Sequence, residues 1–234
     1  MNAMCVSYLL PRMPCVWHTA PMDDSYYTDA ELESATGLPL IHVRRLITWG
    51  AVSPAKGGKG VVRQWDQHAI RHIACVKALY VAGLSLPMAH TLGMLMPMRV
   101  AIDMIDPRAV IRASAKKRWF DPQTALQALE KSDTGVLIAD GYSIFWTLGK
   151  RDPLFVGKLS SDRSAFLSAL DYSKIDACNP ASLSWEHQPE LAADPAQQQA
   201  ADVLQHPVSV NTINLSLAAR VAMRRLLGIP VFFS

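Results

Sequence analysis

The side chains best suited to chemistry in this sequence are cations gathered into a short stretch. His42, Arg44 and Arg45 come first, then Lys56, Lys59 and Arg63. A guanidinium forks onto two phosphate oxygens at once and a lysine ammonium acts as a point charge, so this set suits a polyanion such as a nucleic-acid backbone. Rival chemistries are weaker. His68 and His72 stand at the i, i+4 spacing of two ligands on one helix face, but no acidic or cysteine partner completes a set, and no metal is expected. The run Gly57-Gly58-Lys59-Gly60 lacks the Ser/Thr and the strand-loop-helix setting of a nucleotide loop. No nucleophile-base pair or carboxylate dyad is present, so neither catalysis nor a cofactor is expected.

These cations need elements to hold them, and the flanking residues supply the signals. Thr28 precedes Glu31 by three residues, the arrangement in which each side chain satisfies a free N–H at a helix start. That helix should stop at Gly37. Leu40, Val43, Leu46 and Ile47 recur at three- and four-residue steps and define the buried face of a second helix, which leaves His42, Arg44 and Arg45 pointing more nearly outward. On an ordinary helix such residues form a solvated face; a turn between two short helices makes them candidates for a DNA groove. After Gly50 comes a Pro/Lys/Gly loop, and Val61, Val62 and Gln64 read as the return strand of a small hairpin or wing. Arg63 should lay its stem against Trp65, a core plug, and turn its head to phosphate. Asp66 is the expected N-cap of a third helix with an apolar stripe through Ile70, Ile73, Val76 and Leu79, closing at Gly83. Ser85 and Pro87 open a fourth.

The order of landmarks resembles the DNA-binding domain of the MerR family of bacterial transcriptional regulators. Arg44-Arg45-Leu46 and Gly50-Ala51-Val52 match its Arg-aromatic-aromatic run and Gly-Leu-Leu. Gly60-Val61-Val62-Arg63-Gln64-Trp65 matches the Gly-x-x-Arg-x-Tyr that ends the wing, and Gly83-Leu84-Ser85-Leu86 matches the Gly-Phe-Ser-Leu that closes the next helix. Arg45, Leu46 and Trp65 stand where the family carries aromatics and a tyrosine. The resemblance implies a winged helix-turn-helix that binds double-stranded DNA as a homodimer on a near-palindromic operator, with His42, Arg44, Arg45, Lys56, Lys59 and Arg63 as its DNA-binding residues. It also implies activation by distortion of a promoter spacer.

Beyond Met96 the signature ends. Residues 99–132 read as a helical connector, with Lys116-Lys117-Arg118-Trp119-Phe120 as a basic-aromatic cluster favoured as solvent-facing, and no sustained heptad run that would pair two chains. Gly135 to Ala139, Asp140-Gly141 and Tyr142 to Leu148 read as a hairpin around a tight turn. Leu154 to Val156 suggests a third strand and Ala165 to Leu170 a short helix. The stretch 176–199 reads as irregular. Val208 to Leu215 alternates as a strand, and Ser216 should cap a last helix with Arg220, Arg224 and Arg225 on its polar side.

The expected fold is thus a mainly α N-terminal winged helix-turn-helix domain followed by a small α+β C-terminal domain. Residues 1–25 form a flexible tail, with Met22 a candidate start, 26–98 the DNA-binding domain, 99–132 the connector, and 133–234 a dimerisation or effector domain. Half of the 234 residues are apolar and 18% are charged, so a packed core is affordable, while a net charge of only +3 leaves the decision to where the charges sit. The cysteines Cys5, Cys15, Cys75 and Cys178 lie far apart, as reduced thiols would. No apolar run reaches the roughly 18 residues of a membrane span, so a cytoplasmic, nucleoid-associated protein is expected. Two other functions compete: an architectural DNA-bending protein like the excisionases, and a regulator with a ligand pocket in the second half lined by Trp146, Tyr142, Phe145 or Trp185.

Overall fold

Reciprocal capping starts the first described element. In the computed structural model, which describes residues 25–58, 60–94, 133–149, 152–171, 195–229 and 231, the Glu31 carboxylate accepts from the Thr28 N–H at 2.7 Å. The Thr28 hydroxyl oxygen accepts from the Glu31 N–H at 3.3 Å. Helix α1 (Asp29–Thr36) ends at Gly37, whose φ of +68° only glycine adopts without strain. Helix α2 (Leu40–Thr48) follows after a short turn. Its N-cap position is Pro39, which offers no side-chain acceptor, so the Leu40 N–H donates to Glu33 Oε1 of α1 at 3.0 Å. One helix therefore caps the next and fixes the turn between them.

Strands β1 (Lys56–Gly58) and β2 (Val61–Gln64) form an antiparallel hairpin, Lys56 opposite Gln64. Its base is tied down by Trp65, which exchanges both backbone hydrogen bonds with Tyr27, at 2.9 and 2.8 Å. Asp66 caps α3 (Gln67–Val81) by accepting the Ala69 N–H at 2.7 Å. The chain then turns through Gly83 into α4 (Leu86–Met94).

In the second half, β3 (Thr134–Ala139) and β4 (Ser143–Leu148) are joined by the three-residue loop Asp140-Gly141-Tyr142, in which Asp140 and Gly141 have positive φ and the Tyr142 N–H donates to the Ala139 carbonyl at 3.2 Å. With β5 (Leu154–Lys158) and β6 (Val210–Asn214) they make an antiparallel sheet of order β5-β4-β3-β6. Helices α5 (Arg163–Ala169), α6 (Pro195–Gln205) and α7 (Leu215–Leu226) complete the described elements. β3 is buried throughout because both sheet faces are covered. Val136 and Ile138, with Ile144, Trp146, Val156 and Ile213, face the main core. Leu137, Ala139 and Phe145 face the opposite way, against Ala200 and Leu204 of α6. Trp146 and Phe145, considered as pocket aromatics, are therefore core side chains on opposite faces.

The main core does not stop at the N-terminal helices. One buried cluster runs from Tyr27 through α3 and the sheet to Met223 of α7, which packs along α3 and α1. The elements are thus mixed α and β, with helices predominating at the N-terminal end and an antiparallel sheet in the second half.

Several expectations need correction. The N-cap of α7 is Asn214, whose side chain accepts the Leu217 N–H at 2.8 Å; Ser216 Oγ instead accepts the Thr134 N–H at 2.8 Å. Arg220 is buried, not on a polar face, and its guanidinium forks onto Asp133, which also accepts from Asn214 Nδ2 at 2.8 Å. Residues 195–199, read as irregular, are helical, since proline is tolerated in a first turn and Ala and Gln favour a helix. Residues 1–24 of the tail, the connector 99–132, residues 176–194 and Lys59 lie outside the described residues. Among the described residues no helix is long and apolar enough to cross a membrane.

Breaking the Arg220 pair from one side would strand a buried carboxylate. Arg220→Met is expected to cost about 3–5 kcal/mol in urea unfolding. Replacing both Arg220 and Asp133 by apolar residues should cost less than the single change, and the opposite order would deny the pair its burial. Where β5 passes the end of α5, a Cβ on Gly157 would stand 2.6 Å from the Ala169 carbonyl oxygen. Gly157→Ala is accordingly expected to lose about 1–3 kcal/mol in the same assay.

Candidate nucleic-acid interface

Helix α2 is short, and its two faces are sharply distinguished. Val43 and Leu46 are buried, whereas Ile41, Arg44, Arg45, Thr48 and Trp49 are exposed. Arg44 and Arg45 lie where the sequence put them. His42 does not, because it stands one turn before Leu46 and shares the inward side: its ring packs against Tyr80 of α3, with centroids 5.1 Å apart, and its Nδ1 is buried. It is a packing residue of the α2–α3 contact.

The hairpin carries the remaining described cations. Lys56 is exposed, with Nζ 4.1 Å above the ring of Tyr26, an arrangement that orients the ammonium without neutralising it. Arg63 is different. Its Nε donates to both carboxylate oxygens of Asp29, at 3.2 and 3.0 Å, and its NH2 group donates to Oδ2. Trp65, fully buried as expected, donates its indole N–H to Asp29 Oδ1 at 2.7 Å. The Arg63 guanidinium holds the Asp29 carboxyl below the usual carboxylate range, with burial opposing and the Trp65 N–H and the charge of Arg44 assisting. Asp29 in turn raises Arg63. The guanidinium expected to face phosphate is thus already paired within the chain.

Asp29 itself was not a candidate residue in the sequence. A signal did exist: Arg63 and Trp65 are two apart on an extended segment, so their side chains leave it on the same side and can share an acceptor. The acceptor lies 34 residues away from Arg63, and nothing local names it. Between α2 and the hairpin the surface forms a cleft lined by Asp29, Ile47, Pro54, Gly57, Val61 and Arg63. Exposed Val61 and Val62 form its outer lip.

His72 pairs with His90 rather than with His68, the ring centroids 5.2 Å apart and both rings nearly excluded from water. Among the described residues no group of His, Cys, Asp and Glu is placed to hold a metal ion. Burial in the first place, then His90 and His68, lower His72 to about 4. Burial and the charge of Arg163 lower His90 too. Cys75 is buried and its thiol is pushed up to about 12, which leaves no thiolate for redox or metal chemistry near neutrality.

No family model, curated protein or solved structure matches this chain.

A histidine whose folded pKa lies below its unfolded value binds a proton more readily when the chain unfolds. His72 should therefore leave stability intact above about 6.5 and withdraw it as the pH falls towards about 4. The loss is on the order of 3 kcal/mol across that window. Urea unfolding of wild type and His72→Leu at pH 7.5 and pH 4.5 reads it, and an equal pH dependence in both proteins would place the loss elsewhere.

Proposed function

We propose that this chain is a sequence-specific DNA-binding regulator, in which α1, α2 and the hairpin act as a winged helix-turn-helix of the MerR kind. The observation that carries the proposal is the exposure of Arg44 and Arg45 together on α2, with the exposed Lys56 on the hairpin. In this reading α2 enters the major groove and the hairpin lies along the neighbouring backbone. Arg44 reaches a base edge, while Arg45 and Lys56 take phosphates. Lys59, three positions after Lys56 in the sequence, adds charge. The ordered landmarks from Thr28 to Leu95 support the same reading.

Phosphate contacts alone would attract any duplex, since each neutralised phosphate releases a counterion. Specificity requires Arg44 to make paired hydrogen bonds to a base, and regulation of an operator requires two copies on a near-palindrome. The second half, with its sheet and α7, is where we place dimerisation and any effector. An architectural protein would need only the backbone contacts and DNA bending.

Selection from a random duplex pool with the purified protein separates these readings. A symmetric motif is the expected outcome, and sequence-blind, salt-sensitive retention would leave only the architectural role. At the selected site Arg44→Ala is expected to cost about 1–3 kcal/mol. Equal loss on random DNA would reassign Arg44 to phosphate. Sedimentation at micromolar concentration should give a dimer; a monomer that still binds the selected site would remove the paired arrangement.

A further inference from the structure

A carboxylate that accepts from the guanidinium of Arg63 and the indole of Trp65 has little capacity left for another donor. Asp29 Oδ2 takes Arg63 Nε and NH2, and Oδ1 takes the Trp65 N–H and a longer bond from Arg63 Nε. The two donors come from the hairpin and its base, and the acceptor from the first turn of α1, where the helix dipole favours negative charge. The same carboxylate feels Arg44 of α2. Asp29 therefore stands between the hairpin and the helix proposed to read DNA.

The fork of Arg63 on Asp29 is the one a guanidinium makes on a phosphate. Moving Arg63 to DNA would exchange one ion pair for another and leave the Asp29 carboxylate unpaired beside the backbone phosphates. Such an exchange would release the counterion of one phosphate but give up the ion pair already made with Asp29 and add a like-charge repulsion. The fork is half-buried, with side-chain exposures of 32% for Arg63 and 25% for Asp29, so water competes with it only in part.

We propose that Asp29 is the positioning residue of the hairpin, and that Arg63 acts through Asp29 and not on phosphate. This rests on the DNA-binding reading for its effect on affinity, and on the chain alone for the positioning. Asp29 fixes the angle between the hairpin and α2 and removes Arg63 from the set of phosphate contacts, leaving Arg45 and Lys56 among the described residues to supply them.

The salt dependence of duplex binding measures that set, because the slope of log K against log salt changes by about 0.9 for each phosphate neutralised. Arg63→Met is expected to weaken binding while leaving the wild-type slope unchanged. Asp29→Asn keeps an acceptor for Trp65 and frees the guanidinium, so its slope should steepen by about 0.9. The double variant should return to the wild-type slope. A slope flattened by about 0.9 in Arg63→Met would make Arg63 a phosphate contact and overturn the proposal. The positioning is read separately, without DNA, from exchange of the Trp65 indole proton by NMR, with thermal melts to confirm that each variant folds. Slow exchange in wild type and in Arg63→Met, with fast exchange in Asp29→Ala, is expected. Fast exchange in folded wild type would overturn the positioning whatever the DNA result. Absence of salt-dependent duplex binding would sink the DNA reading and leave this readout to decide.

Discussion

Helix α3 imposes the constraint that the rest of the structure answers. From Ala69 to Tyr80 none of its residues is exposed, so it must be covered on more than the single face of an ordinary surface helix. α1 and α4 cover part of it, and α7 lies along another part. The Cys75 thiol reaches the Leu215 carbonyl at 3.6 Å, at the point where α7 begins. The sequence division at residue 98 is thus not a division of the core: the last helix of the second half completes the burial of the helix that carries the first. Small side chains make this possible. Ala219 and Ala222 of α7 are buried among larger residues and let the two helices approach.

Coverage by α7 has a cost that Arg220 and Asp133 meet together. An unpaired ion at either position would face a large desolvation penalty, and the fork between them, with Asn214 on the same carboxylate, offsets it. The pair also has a geometric consequence. Asp133 immediately precedes β3, and Asn214 joins β6 to α7, so one carboxylate ties together the start of a strand and the start of the helix that closes the core. Hydrophobic burial has no direction; this fork does, and it selects one register for α7 on the sheet.

Local signals account for what could be read from the sequence. The capping pair Thr28 and Glu31, the stop at Gly37, the N-cap Asp66 and the Asp140-Gly141 turn each involve residues within a few positions of one another, and each forms as expected. Periodicity located the buried face of α2 at Val43 and Leu46. Long-range partners were not legible. Asp29 meets Arg63 and Trp65 across most of the N-terminal module, Asp133 meets Arg220 from 87 residues earlier in the chain, and His42 turns inward because Tyr80 waits there. Arg63, Arg220 and His42 could be read by type but not by surroundings, and Asp29 and Asp133 carried no local signal, since charge says what a side chain can bind but not which carboxylate reaches it first. For the same reason Ser216 was taken as a cap by its type, while the fold gave that task to Asn214 and spent the serine on β3.

The exposed face of α2 is held from behind by this same network. α7 touches the last turn of α1, where Arg225 donates to the Ala35 carbonyl at 3.5 Å, and α1 caps α2 through Glu33 and Leu40. The hairpin is tied to α1 through Asp29 and to the residue preceding Thr28 through Trp65 and Tyr27. α1 is therefore the common support of Arg44 and Arg45 on one side and Lys56 on the other, and α7 is the support of α1. A shift of α7 on the sheet would have to be absorbed at α1 before it changed the spacing between α2 and the hairpin. Contact of this kind transmits a signal only if α7 has two packings of similar free energy. The forked Arg220 pair opposes a second packing, because sliding α7 by one turn would leave a buried carboxylate without its guanidinium. Rigidity of this joint favours an α2–hairpin surface whose geometry is set by folding, with the Asp29 and Asp133 carboxylates as its two fixed points.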